Sequence, residues 1–266
     1  MNLSIKSKWN FGGCRQMATY HHLYTNDPTA GGTDGTMVSE GRLFTSPIIA
    51  TLNASESETK YIKCAIRCDS NYYSVGEASL TLGSWNGGSY SPGGGNTGKF
   101  ALCKDKSTAG SITYTLSAVP SVGDQGKFGD VTLKAGTDFA IGSSVDENAS
   151  NITTAINAKS QYYNATVSGA IITVSEKFPG FGHTPAGFSY PENYIKCTFS
   201  TPVTSVAADE NTMKAATDWA DTLTYTEPIT DKNVVFWIRV QATTDEAPQR
   251  DESVGVLSYM TIAASA

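Results

Sequence analysis

Three histidines, five cysteines and a scatter of carboxylates are the residues of this chain that could carry chemistry, and their spacing decides how much of it is available. His21 and His22 are adjacent, so on a strand they point to opposite faces and cannot both bind one metal ion without distortion. A zinc site also wants Cys or His in loop pairs, which the sequence lacks. These two residues and His183 are therefore expected to be partly exposed structural side chains, with no bound metal. Cys14, Cys64, Cys68, Cys103 and Cys197 form an odd set without a C-x-x-C pair. In KYIKCAIRC, strand character would hold the Cα atoms of Cys64 and Cys68 roughly 13 Å apart, beyond the limit of about 7 Å for a disulfide. Reduced, mostly buried thiols are expected.

Asp27, Asp34, Asp245, Glu246, Asp251 and Glu252 fall in turn-like segments. Carboxylates on loops can hold Ca²⁺ together with backbone carbonyls. They also serve as turn formers that bond their own backbone, and the missing EF-hand spacing favours that role here. No G-x-S-x-G occurs, and the Gly-rich GGTDGT and SPGGGNTG do not lead from a strand into a helix as a phosphate-cradling loop must. No catalytic residue and no cofactor are expected. The sequons at Asn53, Asn148, Asn151 and Asn164 are taken as coincidental. The remaining candidates are aromatic: Trp85 and Tyr90 in GSWNGGSYSPGGGNTG, and Phe181 and Phe188 in KFPGFGHTPAGFSYP. Aromatic faces on exposed loops can stack on sugars or on a partner protein.

The elements that must position these residues are mostly strands. Abundant Gly, Thr, Ser and Asn, with 17% charged residues, point to a turn-rich, mainly β chain long enough to bury a large core. A net charge of −6 argues against binding a phosphate backbone, so no nucleic-acid partner is expected. No run of 18 apolar residues and no signal-peptide block occurs, so neither a membrane span nor export is expected.

The stretch from Val131 to Val174 reads as one compact unit. VTLKAGTDFAIG suggests strand, Gly-centred turn and strand; DENASNITTAINAKS then turns to helical spacing, with Ala149, Ile152 and Ile156 on one face. Ser144 and Glu147 have the spacing of a reciprocal helix cap. NATVSGAIITVSE adds two strands about Ser168-Gly169, giving a ββαββ order. Around this unit run strand candidates, from LSIKSKW at the start to NVVFWIRVQAT and SVGVLSYMTIA at the end, with YIKCTFS (194–200) resuming the outer part. Phe236, Ile238 and Val240 are expected on the core face, with Trp237 and Arg239 opposite. The expected architecture is an antiparallel β-sandwich, Ig-like or jelly-roll-like, built from residues 1–106 plus 192–266, with a small α+β domain inserted at 107–191.

Three stretches resemble a set of phage and prophage virion structural proteins: YTNDPTAGGTDGTMVSEG, then YIKCAIRCDSNYYSVGEASLTL, then VVFWIRVQATTDEAPQRDESVGVLSYMTI. In that set an N-D-P-x-x-G-G-T-D-G-T loop, an "IKLALRC(D/E)SGY" strand and an "FWxRxxATxDEAPxxDxSV" hairpin recur in this order. VTLKAGTDFAIGSSVDENASNITTAINAKS, followed by ATVSGAIITVSEK, is similar to a small domain of phage virion and tail proteins. The resemblance implies a non-enzymatic structural subunit made in the host cytoplasm and carried in the virion, such as a decoration or accessory protein of head or tail. Its implied partners are capsid or tail subunits and further copies of itself, with a host-surface glycan as the alternative if the chain is an adhesin.

Overall fold

The computed structural model describes residues 2–8, 20–38, 48–53, 56–84, 100–188, 192–242, 250–251 and 254–265. The chain is mainly β, with sheets that are antiparallel except at β1 and, among the described residues, two helices. It divides into two compact units, residues 1–106 with 208–266, and residues 107–207. The first unit begins with β1 (Asn2–Lys8), β2 (His21–Thr25), β3 (Thr36–Met37), β4 (Ile48–Thr51), β5 (Thr59–Cys68), β6 (Tyr72–Ser84) and β7 (Phe100–Lys104). The second holds β8 (Ser111–Leu116), β9 (Gln125–Phe128), β10 (Val131–Lys134), α1 (Val145–Lys159), β11 (Tyr163–Ser168), β12 (Ile171–Glu176) and β13 (Cys197–Phe199). The chain then returns to the first unit with α2 (Glu210–Lys214), β14 (Thr222–Tyr225), β15 (Val234–Gln241), β16 (Arg250–Asp251) and β17 (Val254–Ala264).

The first unit is a sandwich. One sheet has the order β3-β2-β5-β15-β7, the other β14-β6-β17-β1-β16, with β4 also paired to β1. The N-terminal strand runs parallel to β16 and β17, so the two ends of the sequence meet in one sheet. Between the sheets Ile66, Phe236 and Ile238 from one side meet Leu80, Leu82 and Val256 from the other. Alternation along VVFWIRVQ puts Phe236, Ile238 and Val240 in that core, on the face the sequence suggests. Trp237 is buried as well, on the opposite face, where its Nε1 donates to Asp105 Oδ1 at 2.7 Å. Trp219 lies beside this face, tilted against Tyr61 and under the Arg239 guanidinium at 5.2 Å. A central strand covered on both sides explains why β15 carries apolar residues at nearly every position.

In residues 107–207 a four-stranded sheet of order β11-β12-β8-β13 packs one face against α1. Ala149, Ile152 and Ile156 are fully buried there, with Tyr114, Phe128, Leu133, Ile172 and Val174. Two local expectations are corrected. After β10 the chain forms only a single bridge, Ala135 to Phe139, instead of a second strand, because Asp138 folds back to accept from Lys134 N at 2.7 Å. At the helix start Ser144 Oγ accepts from Glu147 N, but the Glu147 carboxylate reaches one residue further back, to Ser143 N at 2.7 Å, so the cap is not the expected reciprocal pair.

The inserted unit runs to Ala207, not to 191. The segment expected to re-enter the sandwich contains β13, which pairs with β8 instead, Thr198 opposite Thr115. Thr108 and Val206 then bridge antiparallel through two hydrogen bonds of 2.8 and 3.0 Å. Chain entry and exit are therefore side by side, the geometry in which an insertion is tolerated. Removing residues 107–207 and joining Lys106 to Ala208 through a short Gly-Ser linker is expected to leave a β-rich protein that melts cooperatively, since linker length adds closure entropy only logarithmically. Stopping the deletion at 191 would leave β13 without its sheet, and that protein is expected to be less soluble; circular dichroism melts compare the two.

At the free edge of the inserted sheet, side chains take up backbone groups of β11 at Tyr163 and Ala165. Asn157 on α1 accepts from Ala165 N at 2.7 Å and donates to Ala165 O at 2.9 Å, occupying both backbone groups as a neighbouring strand would. Ser160 Oγ accepts from Tyr163 N at 2.8 Å. On the face away from α1 the register aligns cross-strand rows, one of Thr166, Thr173 and Thr113 and another of Ser168, Ile171, Thr115 and Thr198.

Candidate functional site

The best-defined surface feature is the loop NDPTAGGTDGT, between β2 and β3. Asn26 and Asp27 enter it with φ of 66° and 56°, the left-handed region that Asn and Asp tolerate better than other residues with a Cβ. Gly35 leaves it at φ 98°, where a Cβ would sit 3.1 Å from both Thr25 O and Tyr24 Cβ. Inside the loop, Asp34 accepts from Thr29 N at 2.9 Å and from Thr29 Oγ1 at 2.8 Å, an Asp-bonded turn of the kind its residue types suggest. Burial pushes the Asp34 carboxyl upward, but these bonds and the nearby Arg67 charge outweigh it and hold the group below the usual carboxylate range. The acid is thus ionised and already engaged.

Two residues from distant parts of the sequence fasten this loop to the sandwich. Asn233, fully buried just ahead of β15, donates through Nδ2 to Asp34 Oδ1 at 2.9 Å, to Thr29 O at 3.1 Å and to Asp34 O at 3.2 Å. Its backbone N donates to Gly32 O and its carbonyl accepts from Gly31 N, each at 2.9 Å. Arg67, on β5, donates through Nη1 to Asn233 Oδ1 at 2.6 Å and to Asp34 O at 2.7 Å, while its guanidinium lies 3.5 Å over the centroid of the Tyr24 ring. Nearly every polar atom facing inward in the loop has a partner. Toward solvent the loop shows Asn26, Asp27, Thr33, Asp34, Gly35 and Thr36, followed by Met37, and Asp27 pairs with Lys63 at 3.1 Å.

The aromatic candidates have separate fates. Trp85 and Tyr90 lie outside the described residues. Phe181 packs edge-on to His183 at 4.6 Å, and His183 stacks on Tyr162 at 3.9 Å, forming a half-buried aromatic group at the rim of the inserted unit. Phe188 joins Tyr114, Phe128 and Phe199 at centroid distances of 5.3 to 6.0 Å, so packing accounts for its position. The rim is held by Glu176, a buried residue that sequence reading did not single out. It accepts from Gly110 N, from His183 N at 2.8 Å and from Ser205 Oγ at 2.6 Å.

The chemistry-bearing residues are spread apart. His21 is buried, contrary to the expectation of partial exposure, and its Nε2 lies 3.4 Å from Ser258 Oγ. His22, on the other face of β2, meets Asp69 at 3.3 Å. Cys64, Cys68, Cys103 and Cys197 are free thiols, and burial pushes Cys64 and Cys103 up to about 12 and Cys68 up to about 11, far from the thiolate form that reacts. Among the described residues no group of three or more His, Cys, Asp or Glu is placed to hold a metal ion. Asp245, Glu246 and Glu252 lie outside them. An open hollow of about 340 Å³ beside β4 and β5 is lined by Thr51, Glu58, Lys60, Tyr61 and Glu210, but Glu58 is engaged by Asn53 N and Lys60.

Burial, with a smaller contribution from His22, lowers the His21 pKa to about 3. An unfolded chain takes up that proton near pH 6.5, so His21 favours the folded state fully above pH 6.5 and progressively less as pH falls toward 3. Stability measured by urea unfolding is expected to drop by up to about 1.4 kcal/mol per pH unit from this residue over that window, and His21→Gln is expected to remove that part of the slope.

No protein-family model, curated protein or solved structure matches the chain.

Proposed function

We propose that the protein is a non-enzymatic structural subunit of a bacteriophage virion, a decoration or accessory component of head or tail that contacts capsid or tail subunits. One observation supports this reading: two of the segments that resemble phage structural proteins hold one another in a single polar lock, and the residue immediately ahead of the third completes it. The NDPTAGGTDGT loop supplies Asp34 and Thr29, the KYIKCAIRC strand supplies Arg67, and Asn233 stands immediately ahead of the closing VVFWIRV strand. A shared motif set whose members hold one another is a structural signature, and it fixes the shape of an exposed loop. A preformed loop docks without a large ordering cost, which suits a subunit repeated many times on a symmetric particle, where weak contacts add through avidity. Mass spectrometry of purified phage particles from the source tests the reading: the chain should appear in many copies per particle, and its absence would overturn the proposal.

A receptor- or glycan-binding adhesin is the second reading, favoured by the half-buried ring group of Tyr162, Phe181 and His183. Saturable binding on a glycan array that is lost in Phe181→Ala or Trp85→Ala would select it.

A further inference from the structure

We propose that the peptide bond between Asp27 and Pro28 is a self-cleavage site, cut by the Asp27 carboxylate itself. Backbone geometry singles out this bond. A residue ahead of proline is pushed by the proline ring toward extended conformations. Asp27 precedes Pro28 and yet has φ 56°, directly after Asn26 at φ 66°. Two consecutive left-handed residues with side chains, the second ahead of a proline, store strain at one bond, and such strain persists only where the surroundings hold it.

Both flanks are held here. On the N-terminal side, β2 pairs Tyr24 with Ala65 and Thr25 with Thr36. On the C-terminal side Pro28 is buried, so close under Gly35 that a Cβ there would lie 3.3 Å from Pro28 Cβ. Thr29, the next residue, donates its N–H to Asp34 and accepts from the Asn233 amide. The lock that shapes the loop therefore also keeps the Asp27–Pro28 bond from relaxing, and cutting the bond releases it.

The groups that such a cut needs meet at this point. An aspartate that attacks its own backbone carbonyl closes a five-membered ring, and an intramolecular attack of this kind gains from proximity. The Asp27 side chain is 85% exposed, so water reaches it, and Lys63 Nζ stands 3.1 Å from Asp27 Oδ1. In the step, Asp27 Oδ2 bonds to the Asp27 carbonyl carbon, the bond from that carbon to Pro28 N breaks, and Lys63 gives a proton to the departing nitrogen. This leaves a cyclic anhydride at residue 27 and a free Pro28 amine. One water then opens the anhydride to two carboxyl groups and a proton returns to Lys63. The sum is one water added across the bond, and nothing else is consumed. Each chain reacts once, and the inference does not depend on the virion reading.

Intact mass spectrometry of the purified full chain, held for days near neutral pH, tests it. Fragments 1–27 and 28–266 are expected to accumulate, and to stay together until denatured because β1 pairs with β4 and β17 and β2 pairs with β5. In urea the same chain should cleave at least about tenfold more slowly, since unfolding removes strain and alignment together. Asp27→Glu keeps the charge beside Lys63 but needs a six-membered ring, and should lose at least about tenfold as well. Lys63→Gln should slow the cut near neutral pH and match the parent at about pH 4, where solvent supplies the proton. A chain that stays whole near neutral pH overturns the proposal, and so does cleavage that is as fast in urea or in Asp27→Glu. Equal slowing of Lys63→Gln at both pH values would overturn the part given to Lys63.

Discussion

Alanine at Phe236 should lower the unfolding free energy by about 3–5 kcal/mol, the usual range for truncating a buried aromatic residue. Phe236 is fully buried in the middle of β15, whose eight residues pair with β5 from Val234 opposite Ile66 to Gln241 opposite Thr59. Its ring fills space between the two sheets, where neighbours from several strands cannot collapse into the gap together, so the cavity cost adds to the lost transfer energy. Arg239→Ala should cost only about 0.5–1 kcal/mol, chiefly the loss of its guanidinium from the Trp219 ring. Urea unfolding of the two variants checks the register, because a shift of one residue would exchange the faces. A Phe236→Ala protein as stable as the parent would refute the sandwich described above.

Loss of the Asn233 side chain should cost about 1–3 kcal/mol, since it takes a donor from Thr29 O, Asp34 O and Asp34 Oδ1 and an acceptor from Arg67 at a part-buried point. The more telling substitution is Asn233→Asp. It keeps the shape and still accepts from Arg67, yet it turns an NH₂ donor into an oxygen facing two carbonyls and a carboxylate. Asn233→Asp is therefore expected to destabilise at least as much as Asn233→Ala, and hydrogen exchange should speed up at the amides of Gly31 and of residue 233, which pair the loop to the backbone ahead of β15. If Asn233→Asp behaves like the parent, Asn233 is not acting as the donor that fixes the loop.

Much of this was legible in the sequence because it follows from periodicity. Alternation along VVFWIRVQ identifies the core face of β15, and the 3-4 spacing of Ala149, Ile152 and Ile156 identifies the buried stripe of α1. Burial of Trp237 was not legible, because a local pattern shows which residues share a face but not that a later segment bearing Trp219 will lie over the second one. The end of the insertion was missed for a related reason. YIKCTFS has strand character in either unit, and only the pairing of β13 with β8 assigns it. The loop itself was readable from its turn formers, whereas its fastening was not: a single Asn and a single Arg, 166 positions apart, carry no spacing signal. Glu176 was hidden in the same way, since a lone Glu at a strand end reads as solvent-facing until three donors converge on it.

The amide of Asn157 on Ala165 also bears on what crowding does to this molecule. An exposed edge strand is a template: any extended segment can zip onto its bare backbone whatever its side chains, and the growth does not stop at two. With both backbone groups of Ala165 occupied, β11 is a poor seed for such growth. What meets this point of the edge is then decided by side chains, and so is open to tuning by point mutation, where backbone templating would be blind to sequence.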